Sequence, residues 1–176
     1  IGKCYEKLGD KEMAIQFYTK CVEEDSLLDK GWIAITDFYF KNKQYQKALY
    51  YIDKAINIDA TNVLYWKRYA KINNRLNLFE EAEVGYRKAL ELGNFELESW
   101  VTRGDILINL GEHEAAVNNF NQALEFYPEL AEIEYRLAGL YFFMSEAEKG
   151  EFHLKNALKS ESEYIMIIEE LFPSVF

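Results

Sequence analysis

The sequence has few of the residues from which catalytic and metal centres are built. Its 176 residues include two cysteines, two histidines and two prolines. Two cysteines are too few for a disulfide framework. His113 and His153 have no Cys, Asp or Glu at ligand spacing, so we expect both to be solvated. A glycine-rich phosphate loop and a serine-centred nucleophile elbow are also missing. The sequence therefore predicts a non-enzymatic protein without a cofactor or a metal.

Basic residues and long apolar runs are scarce as well. Twenty Lys and Arg against thirty Asp and Glu give a formal net charge of −10. Because this charge repels phosphates and anionic lipids, we expect neither nucleic acid nor a membrane as a partner. No apolar run approaches the about 20 residues that span a bilayer. The chain starts at Ile1 without a Met or a signal peptide, so we interpret it as a piece of a longer protein and favour a cytoplasmic location.

Small residues recur in a fixed register along the chain. They are Ala14, Ala48, Ala82, Ala116 and Gly150, each 34 positions after the last. Around each of them apolar residues are spaced by three and four, which is typical of amphipathic helices. A short polar break separates two such helices in each period. Neither helix has enough apolar surface to be stable alone, so the pairs must pack against their neighbours along the chain.

A bulky residue also opens the first helix of several periods. It is Trp32, Trp66 and Trp100, and Glu134 breaks this series. With this period and these columns the sequence resembles the tetratricopeptide repeat family. The resemblance covers nearly the whole chain. It implies an all-α, right-handed α-solenoid of about five helix–turn–helix repeats.

We expect one repeat domain over the whole chain. Its parts are a truncated repeat at 1–28, full repeats at 29–62, 63–96, 97–130 and 131–162, and a capping helix at 163–172. The turn of the fifth repeat has Met144-Ser145-Glu146 in place of a glycine break, so we expect it to be degraded. Arg103 stands where the family has a buried leucine. Because burying an unpaired guanidinium costs several kcal/mol, Arg103 is expected to reach solvent or a partner.

The first helices carry the candidate functional surface. If Trp32, Ile35 and Tyr39 face the core, the positions between them turn away from it. In proteins that this one resembles, those positions line a concave groove that binds peptides. The apolar residues among them have no packing reason to recur. The candidate peptide-binding residues are Lys30, Ile33, Asp37, Phe40, Lys41, Lys67, Arg68, Lys71, Asn74, Arg75, Val101, Asp105, Ile108, Tyr135, Arg136 and Phe142.

Basic residues gather on this surface, above all in the third repeat, where they are Lys67, Arg68, Lys71 and Arg75. On an acidic protein such a patch would attract an acidic partner. The alternative is an internal ion ladder, because Lys71 shares its column with Asp37 and Asp105 of the neighbouring repeats. Both interpretations remain open at the level of sequence.

These observations favour a protein–protein interaction module. We predict a scaffold or adaptor that binds an acidic-hydrophobic peptide segment in its groove. One alternative is self-assembly into homo-oligomers, and another is a non-catalytic arm that positions substrates for a larger enzyme. Some family members grip acidic chaperone tails with a two-carboxylate clamp. Lys71, Thr102 and Glu132 depart from that clamp pattern, so we do not expect this activity.

Overall fold

The structure is a computed structural model that describes residues 2–160 and 166–173. These residues form eleven α-helices and no strand. The helices are α1 Gly2–Leu8, α2 Lys11–Glu24, α3 Asp29–Lys41, α4 Tyr45–Ile58, α5 Val63–Arg75, α6 Phe79–Glu91, α7 Leu97–Asn109, α8 His113–Phe126, α9 Ala131–Phe143, α10 Ala147–Ser160 and α11 Met166–Leu171. The first three residues expected in the capping helix, 163–165, lie outside the described residues.

The helices group into two compact units. Unit 1 ends at Gly93 and contains α1 to α6, and unit 2 begins at Asn94 and contains α7 to α11. Within unit 1, each odd-numbered helix pairs with the next as a hairpin, and α2 packs on α3 as α4 packs on α5. Within unit 2, α7 pairs with α8 and α9 with α10, while α8 and α11 both pack on α9.

The hairpin turns share one backbone conformation. A residue with positive φ stands at the same register in each of them: Gly9, Lys43, Asn77, Gly111 and Ser145. In every turn the next amide N–H donates to the carbonyl five residues earlier, as Glu146 does to Tyr141 at 2.8 Å. This is the hydrogen bond that ends many helices. The expectation of a degraded fifth turn was therefore wrong, because Ser145 adopts the left-handed conformation and the turn keeps the same backbone hydrogen bond as the others.

The repeated small residues lie where helices cross closely. Ala48 and Ala82 in unit 1 and Ala116 in unit 2 have no exposed surface. Gly104 permits a still closer approach, since a Cβ added there would lie 2.1 Å from the ring of Phe120. The period of small residues thus reflects the close packing of the two helices within each hairpin.

A polar pair lies inside the first hairpin of unit 2. Arg103 donates from Nη1 to Oδ1 of Asn119 at 3.1 Å, and Asn119 donates from Nδ2 to the Trp100 carbonyl at 2.8 Å. Asn119 is itself buried. The expectation that Arg103 finds a partner is confirmed.

A second polar pair lies inside the last hairpin. Nδ1 of His153 lies 2.6 Å from Oε2 of Glu134, and the two side chains are only 13 % and 6 % exposed. The His153 ring also stacks on Tyr141, with centroids 5.2 Å apart. Predicting a solvated His153 was therefore wrong, because Glu134 occupies a buried position and provides an acceptor for the imidazole. His113 is half-buried, with its ring 4.6 Å from that of Phe143.

Candidate functional site

A pocket of about 300 Å³ opens between α3 and α5, within unit 1. The residues that line it are Thr36, Asp37 and Phe40 from α3, and Leu64, Lys67, Arg68, Lys71 and Ile72 from α5. Two successive repeats therefore contribute to one cavity through their first helices. Five of the eight lining residues belong to the set that the sequence analysis singled out.

One wall of the pocket is an ion pair that joins the two helices. Arg68 donates from Nε and Nη2 to the two carboxylate oxygens of Asp37, at 2.6 and 2.9 Å. This two-pronged geometry is the strongest form of an arginine–carboxylate contact. The hydrogen bond to Asp37 raises the pKa of the Arg68 guanidinium. Both oxygens of Asp37 are therefore occupied by its neighbour on α5.

A second hydrogen bond links α3 and α5 close to the pocket. The Tyr65 hydroxyl donates to Oδ2 of Asp29 at 2.5 Å. Burial of the ring and this bond to a carboxylate both raise the pKa of Tyr65 above its ordinary range. The hydroxyl thus keeps its proton and remains a donor. Two cross-helix contacts fix the separation of α3 and α5 and so the width of the pocket.

The floor of the pocket is apolar. Ile72 is buried in a core cluster formed by α4 and α5, and Phe40 packs against that cluster. Leu64 lies at the rim with 53 % of its surface exposed. Ile33 also packs on the same cluster. The expectation that Ile33 and Phe40 have no packing role was wrong, since each closes the contact between adjacent hairpins.

Unit 2 repeats the ion pair in a more buried form. Arg136 donates from Nε and Nη2 to the carboxylate of Asp105, at 2.7 and 3.0 Å, and its side chain is 9 % exposed. Tyr135 and Ile108 are also buried, and burial raises the pKa of the Tyr135 hydroxyl. Three predicted binding residues of unit 2, Ile108, Tyr135 and Arg136, thus offer little or no surface to a ligand.

The remaining predicted residues lie outside the pocket. Lys30, Lys41 and Arg75 are exposed in unit 1, where Asn74 is half-buried. In unit 2, Val101 is half-buried, and Phe142 lies so close to Gly150 that a Cβ added to this glycine would meet the ring at 2.6 Å. Their part in binding stays a prediction.

Ion pairs between repeats do occur, and arginines take part in those of Asp37 and Asp105. In both units the arginine stands 31 residues after the aspartate. The sequence suggested Lys71 as the cation of an ion ladder and did not predict Arg68 or Arg136 as partners of these carboxylates. Spacing by whole repeats does not predict such a partner, because side chains meet across helices at an offset from the repeat length.

Three pocket residues were not predicted from the sequence: Thr36, Leu64 and Ile72. Leu64 left a signal in the sequence. Its counterparts in the other repeats are Lys30, Glu98 and Glu132, all charged, so a leucine in this column is an exposed apolar residue without a packing reason. Thr36 and Ile72 are buried and gave no such signal.

Over residues 2–160 and 166–173, no three His, Cys, Asp or Glu side chains are grouped so that they could hold a metal ion. In that part of the chain no helix combines the length and the apolar character that crossing a membrane requires.

The helical hairpins and the cavity between their first helices define a helix–turn–helix repeat protein. Sequence models described as "TPR repeat" and "Tetratricopeptide repeat" match residues 104–144 and 1–26. A TPR repeat-containing protein of Methanocaldococcus jannaschii is 29 % identical over 142 residues, which cover 77 % of this chain and 24 % of that protein. The chain thus spans about a quarter of the length of this curated relative. Residues 1–26 and 104–144 of the chain thus match tetratricopeptide repeats.

Several solved structures share the fold of this chain. The chain is similar to MamA, with a TM-score of 0.78 and 18 % identity over 90 % of this chain and 93 % of MamA. YrrB, described as a TPR protein with an unusual peptide-binding site, gives a TM-score of 0.79 and 21 % identity over 96 % and 87 % of the two chains. MamA of Desulfovibrio magneticus RS-1 gives 0.73 and 11 % over 90 % and 89 %.

At these identities the likeness concerns the fold alone. The predicted fold class, an all-α solenoid of helix–turn–helix repeats, is confirmed. Tetratricopeptide repeats are generally non-catalytic protein-interaction modules, and the repeat matches in this chain support such a role.

Proposed function

We propose that the chain binds a peptide segment of another protein at the pocket between α3 and α5. The observation that carries the proposal is the composition of the pocket. The exposed Leu64 lies on α5 together with two lysines, and Phe40 of α3 lines the same pocket. The proposed role is non-catalytic. A protein rather than a nucleic acid or a membrane is the partner, because the chain carries a formal net charge of −10.

A preformed pocket explains how such a site gains affinity. The bonds from Arg68 to Asp37 and from Tyr65 to Asp29 hold its two helices before a ligand arrives. Little ordering entropy is then lost when a segment docks, and burial of an apolar side chain contributes roughly 1.5 to 3 kcal/mol. The similarity to YrrB supports a peptide as the ligand, although that protein's site was described for YrrB alone.

The test uses peptides selected by the whole chain from a phage-displayed library of random dodecapeptides. Calorimetry then compares a selected synthetic peptide with the wild type and with Leu64→Glu. The substitution removes apolar surface at the rim and adds a negative charge, so we expect affinity to fall about tenfold or more. Leu27→Glu is the matched control, since Leu27 is 76 % exposed in a loop of the same unit. Equal affinities for the two variants would contradict the proposal.

A second candidate function is self-association through the outer face of α10. Leu158 is 51 % exposed, whereas Val22 and Ile56, at the same position of earlier second helices, are buried where α3 and α5 follow them. A second copy of the chain would cover this leucine. Sedimentation equilibrium of the wild type and of Leu158→Glu tests the idea. A concentration-dependent dimer in the wild type alone supports it, and a wild-type monomer at all concentrations removes it.

A further inference from the structure

We infer that the pocket between α3 and α5 recognises one bulky apolar side chain together with a carboxylate that lies within four residues of it in the partner's sequence. The inference rests on the proposed function and specifies the chemistry of its ligand. The size of the pocket determines the apolar side chain, its charge favours the carboxylate, and its rigidity limits the distance between the two.

The size of the pocket limits the apolar part of the ligand. Its volume of about 300 Å³ is at the lower end of the roughly 300 to 1,000 Å³ of small-molecule sites. Such a volume accepts a large side chain, whereas a small one would leave most of the lining without contacts. Phe40 and Ile72 at the floor and Leu64 at the rim provide the apolar contacts. Phe, Leu, Trp or Met therefore fit better than a small or polar residue.

The charge of the lining selects what accompanies this side chain. Three cationic side chains and one carboxylate surround the pocket. The carboxylate, Asp37, is bonded through both oxygens to Arg68. Lys67 and Lys71, one helical turn apart, add two ammonium charges on the same face of α5. Whatever else these ammonium groups contact, their charge favours a carboxylate over an amine in the ligand.

The rigidity of the pocket makes the two preferences act together. Arg68 is a positioning residue, because its bond to Asp37 sets the distance from the floor on α3 to the lysines on α5. A ligand must present its acid at a matching distance from its apolar anchor. On an extended segment this corresponds to a spacing of one or two residues, and on a helix to three or four.

The experiment repeats the phage selection with charge variants of the whole chain as bait. The test variant is K67E/K71E, and K67Q/K71Q removes the charges without reversing them. The matched control is K20E/K54E, which makes the same change in net charge at exposed lysines on the second helices of unit 1. Circular dichroism melting verifies that each bait is folded. If K67E/K71E does not fold, K67Q/K71Q alone still tests the inference.

The readout is the ratio of acidic to basic residues within four positions of the enriched apolar anchor. We expect this ratio to rise about threefold or more over the unselected library for the wild type and for K20E/K54E. For K67Q/K71Q it should return to the library value, and for K67E/K71E fall below it.

Two other results would overturn the inference. An apolar anchor without acidic neighbours, or an acidic preference that persists in K67Q/K71Q, overturns it and leaves the proposed peptide-binding function intact. A wild-type bait that enriches no sequence overturns both.

Discussion

At the scale of single residues, the last hairpin of unit 2 has an ionisable pair where unit 1 has stacked aromatic rings. Trp32 and Tyr51 stack with centroids 6.1 Å apart, and the corresponding positions of the last hairpin are Glu134 and His153. The imidazole pairs with the buried carboxylate, so each residue satisfies the other. The exchange of the tryptophan for Glu134 on α9 is thus accompanied by an exchange of the facing tyrosine for His153 on α10.

This pairing predicts the effect of removing one member. His153→Phe keeps the ring near Tyr141 but leaves the Glu134 carboxylate buried without its partner, which costs about 3 kcal/mol or more. The double variant E134M/H153F replaces the pair by apolar groups of similar volume and should recover most of that loss. Urea unfolding followed by circular dichroism measures both. A single variant as stable as the wild type would show that the pair contributes nothing.

At the scale of elements, the hairpin turns are more uniform than their sequences. Lys43 and Ser145 adopt the left-handed conformation that Gly9 and Gly111 adopt at the same register. A residue with a Cβ pays roughly 1 to 2 kcal/mol there. The turn geometry is therefore imposed by the two helices that it joins.

Glycine should accordingly stabilise two of these turns. We expect Lys43→Gly and Ser145→Gly each to raise the free energy of unfolding by up to about 1 kcal/mol, after the larger entropy of glycine in the unfolded chain. Lys54→Gly, within α4, serves as the control and should lower it by about 1 kcal/mol. Thermal melts of the three variants measure these changes. An equal loss of stability in all three would show that Lys43 and Ser145 are not strained.

The two cross-helix ion pairs allow a comparison at the same scale. Arg68 and Asp37 are about a third exposed, whereas the Arg136 side chain is 9 % exposed against Asp105. Arg68→Met should therefore cost about 1 kcal/mol of stability, and Arg136→Met about 3 kcal/mol, because Asp105 is then left beside a buried apolar group. Urea unfolding of both variants is the measurement. A cost for Arg136→Met no greater than that for Arg68→Met would contradict this assignment.

Particular residues show what sequence could and could not predict. The period of small residues at Ala48, Ala82 and Ala116 predicted the helical hairpins, because only helix crossings require them at that spacing. Tyr135 shares its column with Ile33, which is half-buried, yet Tyr135 is enclosed. Its burial depends on the packing of α8, α10 and α11 around α9, which repeat spacing alone does not encode.

The pocket itself was only partly predictable. The sequence placed Phe40, Lys67 and Lys71 on one surface, and the structure brings these residues together. It did not predict that Arg68 bonds to Asp37, because the offset between facing side chains depends on how two helices are rotated and shifted against each other. A basic patch read from sequence therefore contained one cation that serves the packing of its own repeats.

At the scale of the whole molecule, an acidic chain carries its candidate site on a locally basic face. The formal net charge is −10, while three of the eight residues that line the pocket are Lys or Arg. The chain also corresponds to about a quarter of its curated relative.

The most direct test of the central claim is a chemical-shift titration of the isotope-labelled whole chain with a peptide that it has selected. Binding at the proposed pocket predicts that the largest amide and methyl shifts fall on α3 and α5, at Thr36, Leu64, Lys67 and Lys71. Saturating shifts confined to other helices, with those of α3 and α5 unchanged, would contradict the account.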